Sequence, residues 1–180
     1  NNVIVGGRSV GGASSKMDLF IIKYLPDGTE LWQKRYDGVI HDWDDLFDMA
    51  VDATGSIYVT GYTTVFSSGG NYLTDCITIK YSENGTQEWV RTFNSPKNAN
   101  DYGSKIVCDR DQAIYVAGYA SQNLVLLKYN LNGGLVWERS YIDSQIVSFG
   151  INSMALDSNR NIIVSGTSGS NRVAVVVIMN

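Results

Sequence analysis

Short apolar runs of five to eight residues recur along the chain, each bounded by Gly, Asn, Asp or Ser. NVIVGG (2–7), SIYVTG (56–61), AIYVAG (113–118) and NIIVSG (161–166) form one set. DLFIIKY (18–24), DCITIKY (75–81), NLVLLKY (123–129) and NRVAVVV (171–177) form a second. A third comprises DLFDMAVD, YGSKIVCD and GINSMALD, ending at Asp52, Asp109 and Asp157. The fourth is YLPDGTELWQKRY (24–36), YSENGTQEWVRTF (81–93) and YNLNGGLVWERSY (129–141). The sets return in one fixed order, which makes the chain an internal repeat. The runs are rich in Val, Ile and Tyr and no window follows a 3.6-residue period, so they predict strands.

The turns support strands. Asp27-Gly28, Asn84-Gly85 and Asn132-Gly133 supply residues that tolerate positive φ in a tight hairpin. Asp52, Asp109 and Asp157 open a second short turn, where an aspartate bonds the backbone ahead of it. One repeat then holds four antiparallel strands, and its third strand is apolar on both faces, as a sheet enclosed by neighbouring sheets requires. Radially stacked four-stranded sheets make a β-propeller, and this is the predicted all-β fold. The repeats fall at about 1–43, 44–100, 101–148 and 149–180. Trp32, Trp89 and Trp137 follow the hairpin turn at one offset, which predicts packing between blades rather than a sugar platform. Gly61, Gly118 and Gly166, closing the second strands, are read as structural too. The chain opens on a second strand and closes on a third, giving fourteen strands in four blades with both terminal blades incomplete. The expectation is a segment of a longer propeller, or two copies sharing a ring of about eight blades.

Composition adds exclusions. The 180 residues suffice for one domain with a core. A net charge of −4, with 14 Lys+Arg and no basic run, argues against nucleic acid and anionic membranes as partners. The longest apolar run, VAVVVIM (173–179), is too short to insert as a spanning helix. No leader is recognisable, and the sequence starts Asn-Asn. Cys76 and Cys108 stand where other repeats carry Leu or Val, so they read as small buried hydrophobes.

Candidate chemistry is sparse. The connections at 8–17, 37–43, 62–74, 94–100 and 142–148 vary between repeats and share one face, where recognition by a rigid frame is expected. The segment HDWDDLFD (41–48) holds the sole histidine, and His41, Asp42, Trp43, Asp44 and Asp45 form the candidate binding loop. Asp42, Asp44 and Asp48 could offer a cation oxygen ligands, although their spacing matches no calcium loop and a solvated acidic loop is the simpler reading. Asp44 has a counterpart in Asp101, which suggests a repeated turn or inter-blade hydrogen bond. One histidine and no G-x-S-x-G elbow leave no nucleophile–base pair beyond His41, so no catalytic residue and no cofactor is expected. Asn84-Gly85-Thr86 has the form of a glycosylation sequon, but the hairpin already explains it.

The string DATGSIYVTGYT (52–63), followed by Lys-Tyr, an Asn-Gly turn and Trp, resembles the bacterial seven-bladed β-propeller repeat over essentially the whole chain. The turn-plus-tryptophan segment is also similar to the docking motif of quinoprotein-type propellers. Departures are Gln112 and Arg160 in place of Gly55, and Val176-Val177 in place of Lys-Tyr. The resemblance implies a secreted or surface location in a bacterium and a non-enzymatic role in protein or glycan binding or scaffolding. The alternative is part of a larger propeller enzyme, quinoprotein-like or glycan-active, with catalytic residues outside this chain.

Overall fold

The computed structural model describes residues 2–11, 16–68, 71–96, 99–121, 123–141, 149–168 and 173–179. All regular structure in them is strand, arranged as four consecutive antiparallel meanders. The first sheet is β1 (Val3–Val10), β2 (Met17–Tyr24) and β3 (Glu30–Tyr36). The second is β4 (Asp44–Val51), β5 (Ile57–Ser68), β6 (Asn71–Tyr81) and β7 (Gln87–Phe93). The third is β8 (Asp101–Cys108), β9 (Ile114–Ala120), β10 (Asn123–Tyr129) and β11 (Leu135–Tyr141). The fourth is β12 (Phe149–Leu156), β13 (Ile162–Ser168) and β14 (Val173–Met179). The leading strands β4, β8 and β12 follow one another on the inner side, each also packed on the preceding sheet. This is the blade arrangement of a β-propeller segment.

Each pair of adjacent blades encloses its own core. Leu19 and Ile21 of the first blade meet Leu46, Ile57, Val59, Ile77 and Ile79 of the second. Tyr58, Cys76, Trp89 and Phe93 meet Ile106, Ile114, Val116, Val125 and Leu127 of the third. Tyr115, Ala117 and Leu126 then meet Met154, Ile162 and Val164 of the fourth. Alternate residues of β9 thus serve opposite neighbours, which is why the whole strand is buried and apolar on both faces. Both cysteines are free, and burial pushes the Cys76 thiol up to about 12.

The aspartate turns are alike in detail. Asp52 Oδ1 accepts the Thr54 and Ser56 N–H groups at 2.8 and 3.0 Å, and Tyr58 donates its hydroxyl to Oδ2 at 3.0 Å. Asp109 accepts the Asp111 and Ala113 N–H groups and the Tyr115 hydroxyl in the same way. In the fourth blade Ile163 replaces the tyrosine, and the Asn161 side chain donates to Asp157 Oδ2 at 2.7 Å instead. Burial opposes the charge on Asp52, but the donors outweigh it and hold the carboxyl below its ordinary value. Gly55 has φ +83°; its counterparts Gln112 and Arg160 hold φ of 62° and 67° with a Cβ in place.

Tryptophan joins blade to blade. Trp32 Nε1 donates to the Glu83 carbonyl at 3.1 Å, and Trp89 Nε1 to the Leu131 carbonyl at 3.0 Å. Each ring lies on the glycine of the following blade's hairpin turn: a Cβ at Gly85 would stand 2.8 Å from Trp32 Cδ2, and one at Gly133 2.8 Å from Trp89 Cδ2. Arg91 supports the second seat, donating to the Gly133 and Asn132 carbonyls at 2.7 and 3.2 Å. Trp137 packs against Tyr115, centroids 6.3 Å apart.

Gly61 and Gly118 have a different task. They face bulges in β4 and β8, where an added Cβ would run into the Asp45 and Tyr102 carbonyl oxygens. Gly166 faces the corresponding bulge of β12. In urea unfolding, Trp89→Ala should cost about 3–5 kcal/mol and Gly118→Ala about 1–3 kcal/mol. Gln112→Gly should instead stabilise by about 0.5–1 kcal/mol, because it relieves a left-handed backbone.

Candidate functional site

The meander puts two kinds of connection on opposite ends of the blades. One end carries the short turns 52–56, 82–86, 109–113, 130–134 and 157–161, already engaged by aspartates and tryptophans. The other carries the links 37–43 and 94–100 and the β5–β6 hairpin. The link 142–148 lies outside the described residues.

At this second end two carboxylates anchor the links between blades. Asp44 Oδ2 accepts the Gly38 N–H at 2.5 Å, while Oδ1 accepts the Thr63 hydroxyl at 2.6 Å and the Thr64 N–H at 3.3 Å. One repeat later Asp101 accepts the Ser95 N–H, the Ser95 hydroxyl at 2.9 Å and the Ser121 N–H at 3.0 Å. Each therefore ties the link leaving the previous blade to the second strand of its own blade, Asp44 to Thr63 and Thr64 within β5 and Asp101 to Ser121 just past β9. Burial raises the Asp44 carboxyl despite its donors from Thr63, Gly38 and Thr64. Burial also raises Asp45, against the Arg8 guanidinium 3.0 Å away.

The expected solvated acidic loop is corrected by these positions. Asp44, Asp45 and Asp48 belong to β4, and Asp42, Asp44 and Asp45 are only 8%, 1% and 9% exposed. Asp42, Asp44 and Asp48, the minor alternative as a cation set, are each committed elsewhere. Asp42 pairs with Lys16 at 3.0 Å, Asp44 holds the link, and Asp48 Oδ2 accepts the Ile106 N–H from the next blade at 3.0 Å. The carboxylates that do converge among the described residues are Asp18, Asp37 and Asp44, with one oxygen each within 4.8 Å of the others. Arg35 stands 3.3 Å from Asp18 in that group. His41 is exposed at φ 54°, and its Nδ1 lies 2.7 Å from Asp37 Oδ2 rather than beside a nucleophile.

The stretch 62–74, expected as a loop, is mostly strand. β5 and β6 continue past the Thr63–Asp75 pair, where β4 and β7 have ended, and form a projecting two-stranded arm. Thr, Val, Phe and Tyr favour extended structure there, and the Ser-Ser-Gly-Gly stretch hid this in the sequence. Thr64 N–H donates to the Trp43 carbonyl at 3.1 Å, Lys16 Nζ lies 4.9 Å from the Tyr72 ring centre, and Thr74 N–H donates to Asn100 Oδ1 at 3.1 Å. Arm and link together expose Val39 (92%), Ile40, Trp43, Val65, Phe66 and Tyr72. Tyr62, Phe47, Tyr102 and Tyr119 form a row of edge-on and tilted rings across two blades. Sequence reasoning placed the connection 62–74 on the recognition face and named Trp43, but did not single out Val65, Phe66 and Tyr72.

A cavity of ≈ 440 Å³ at the opposite end is lined by Cys108, Asp109, Arg110, Leu156, Asp157 and Arg160, but its aspartates are already filled by their own turns.

No family profile and no curated protein matches the chain. Among solved structures it is similar to a protein from Lactobacillus plantarum, with 11% identity and a TM-score of 0.51. That match covers 98% of this chain and 51% of the other, so the chain spans about half its length. A protein of unknown function from Bacteroides caccae matches with 14% identity and a TM-score of 0.37, over 97% of this chain and 73% of the other. The first likeness supports the fold: an all-β chain of propeller blades.

Asp101→Ala strips the acceptor from three donors, two of them on a buried serine, and should cost at least about 2 kcal/mol in urea unfolding. Its failure to do so would remove the anchoring role assigned to it.

Proposed function

We propose that the chain is a non-catalytic propeller module of the bacterial seven-bladed repeat type, secreted or displayed at the cell surface, that binds another protein. The observation carrying this reading is the apolar patch of Trp43, Val65, Phe66 and Tyr72, raised on the arm and braced by Lys16. Several large apolar side chains exposed on one projecting element are what an interaction surface requires. The exposed aliphatics of the arm and the neighbouring link, Val39, Ile40 and Val65, favour protein over glycan, because sugar subsites combine aromatic rings with converging polar groups. Val3 and Val5 of β1, each about half exposed, support packing by a further blade, from a longer chain or a second copy.

A photo-crosslinking side chain at position 66 or 43 tests the reading in extracts of the source cells. The expected result is a discrete adduct, absent when the probe sits at position 136 on β11, and lost with Val65→Asp at unchanged melting temperature. Equal labelling from both positions would contradict it.

A further inference from the structure

Buried carboxylates recur where one blade meets the next, but their counter-charge does not. At the first boundary Asp18 stands near Asp44, with Arg35 Nη1 3.3 Å from Asp18. One repeat on, Asp75 takes the place of Asp18, Asp101 that of Asp44, Asn94 that of Asp37 and Thr92 that of Arg35. Both acids remain while the guanidinium is gone. Asp101 is fully buried and accepts three donors, the Ser95 N–H and hydroxyl and the Ser121 N–H. Asp75 is 9% exposed, and among the described residues nothing donates a hydrogen bond to its carboxylate or pairs with it.

Asp75 also stands at the foot of the arm. Its neighbour Thr74 donates its N–H to Asn100 Oδ1 at 3.1 Å and its hydroxyl to the Asp101 carbonyl at 3.3 Å, and these bonds hold the arm against the third blade. The other groups near Asp75 supply no positive charge. Thr63, opposite on β5, gives its hydroxyl to Asp44; the Cys76 thiol is neutral; and Asn94 follows β7. Lys16 reaches the arm at Tyr72 but is paired with Asp42. Lys97, in the link from β7 to β8, lies outside the described residues.

We propose that Asp75 is a proton-operated latch: as the neutral acid it lets the arm root pack on the third blade, and loss of its proton to water loosens that joint. Burial and the Asp101 charge both raise the Asp75 carboxyl above 3.8. The stability that neutral Asp75 confers is thus complete below 3.8 and is lost as pH rises through the folded value. The sign is opposite to that of Asp52 and Asp157, whose carboxyls are lowered. As regulation of the recognition face the latch rests on the function proposed above; its test needs no ligand, so either can fail alone.

The experiment follows melting temperature from pH 4 to 8 for the full chain, Asp75→Asn and Thr92→Arg, with amide exchange over 64–74 corrected for intrinsic rates. Asp75→Asn should gain on the parent as pH rises, by about 2–4 °C or more, and arm protection should stop depending on pH. Thr92→Arg restores the missing cation, leaves Asp75 in place and should raise the melting temperature at pH 8. A pH-independent difference between Asp75→Asn and the parent overturns the latch. So does loss of the pH dependence in Lys97→Gln, which would make Asp75 an ion-pair partner. Calcium raising the melting temperature of the parent but not of Asp75→Asn would make the place a cation seat and overturn it too.

Discussion

A tryptophan ring lying on the glycine of the next blade's turn is the contact on which this structure depends. A four-stranded sheet with two apolar faces cannot stand alone in water; it needs a neighbour on each side at a fixed distance. The Trp32 and Trp89 seats set that distance with an indole N–H donated to a turn carbonyl and a ring laid on a residue without a side chain. Gly85 and Gly133 are constrained twice, by φ of 79° and 75° and by the ring above them. Gly28, in the first blade's turn, has φ 88°, but a Cβ added there would meet nothing within 4 Å. The same residue type therefore carries one constraint in one blade and two in the next.

Elsewhere the repeats keep a bond while changing who makes it. Tyr58 and Tyr115 satisfy the second oxygen of their aspartates, whereas Asn161 does so where Ile163 replaces the tyrosine. Arg91 reinforces the second tryptophan seat, while at the first Lys23 donates to the same Glu83 carbonyl that Trp32 uses. Anchored in this way at one end, the blades are free to vary at the other. There the second blade grows an arm, and Asp44 and Asp101 keep the links in register beneath it.

The frame was legible in the chain because its constraints are local and repeated. Fixed spacing of the Asx-Gly turns, the tryptophans and the turn aspartates reports backbone conformations that few residues satisfy. The recognition end was much less legible. Asp42, Asp44 and Asp48 look like one acidic cluster on paper, yet Asp42, just before β4, pairs with a lysine, while Asp44 and Asp48 of β4 hold the link and the next blade. Sequence proximity cannot show this, since the partners of Asp42 and Asp48 lie 26 and 58 residues away. The arm was hidden for another reason: Ser-Ser-Gly-Gly reads as a loop, and nothing in the other repeats marks 62–74 as continuous strand. Asp44 was half legible, because its counterpart in Asp101 pointed to a structural bond without naming the donors.

A double-mutant cycle between Trp89 and Gly133, read by urea unfolding, tests the seat most directly. Gly133→Ala should cost more with Trp89 present than in the Trp89→Ala background, giving a coupling of about 1–3 kcal/mol. Gly28→Ala, whose new methyl meets nothing, should add to Trp89→Ala within about 0.5 kcal/mol. Additivity at Gly133 equal to that at Gly28 would show that backbone conformation alone selects the glycine, and that the ring does not hold the blades together.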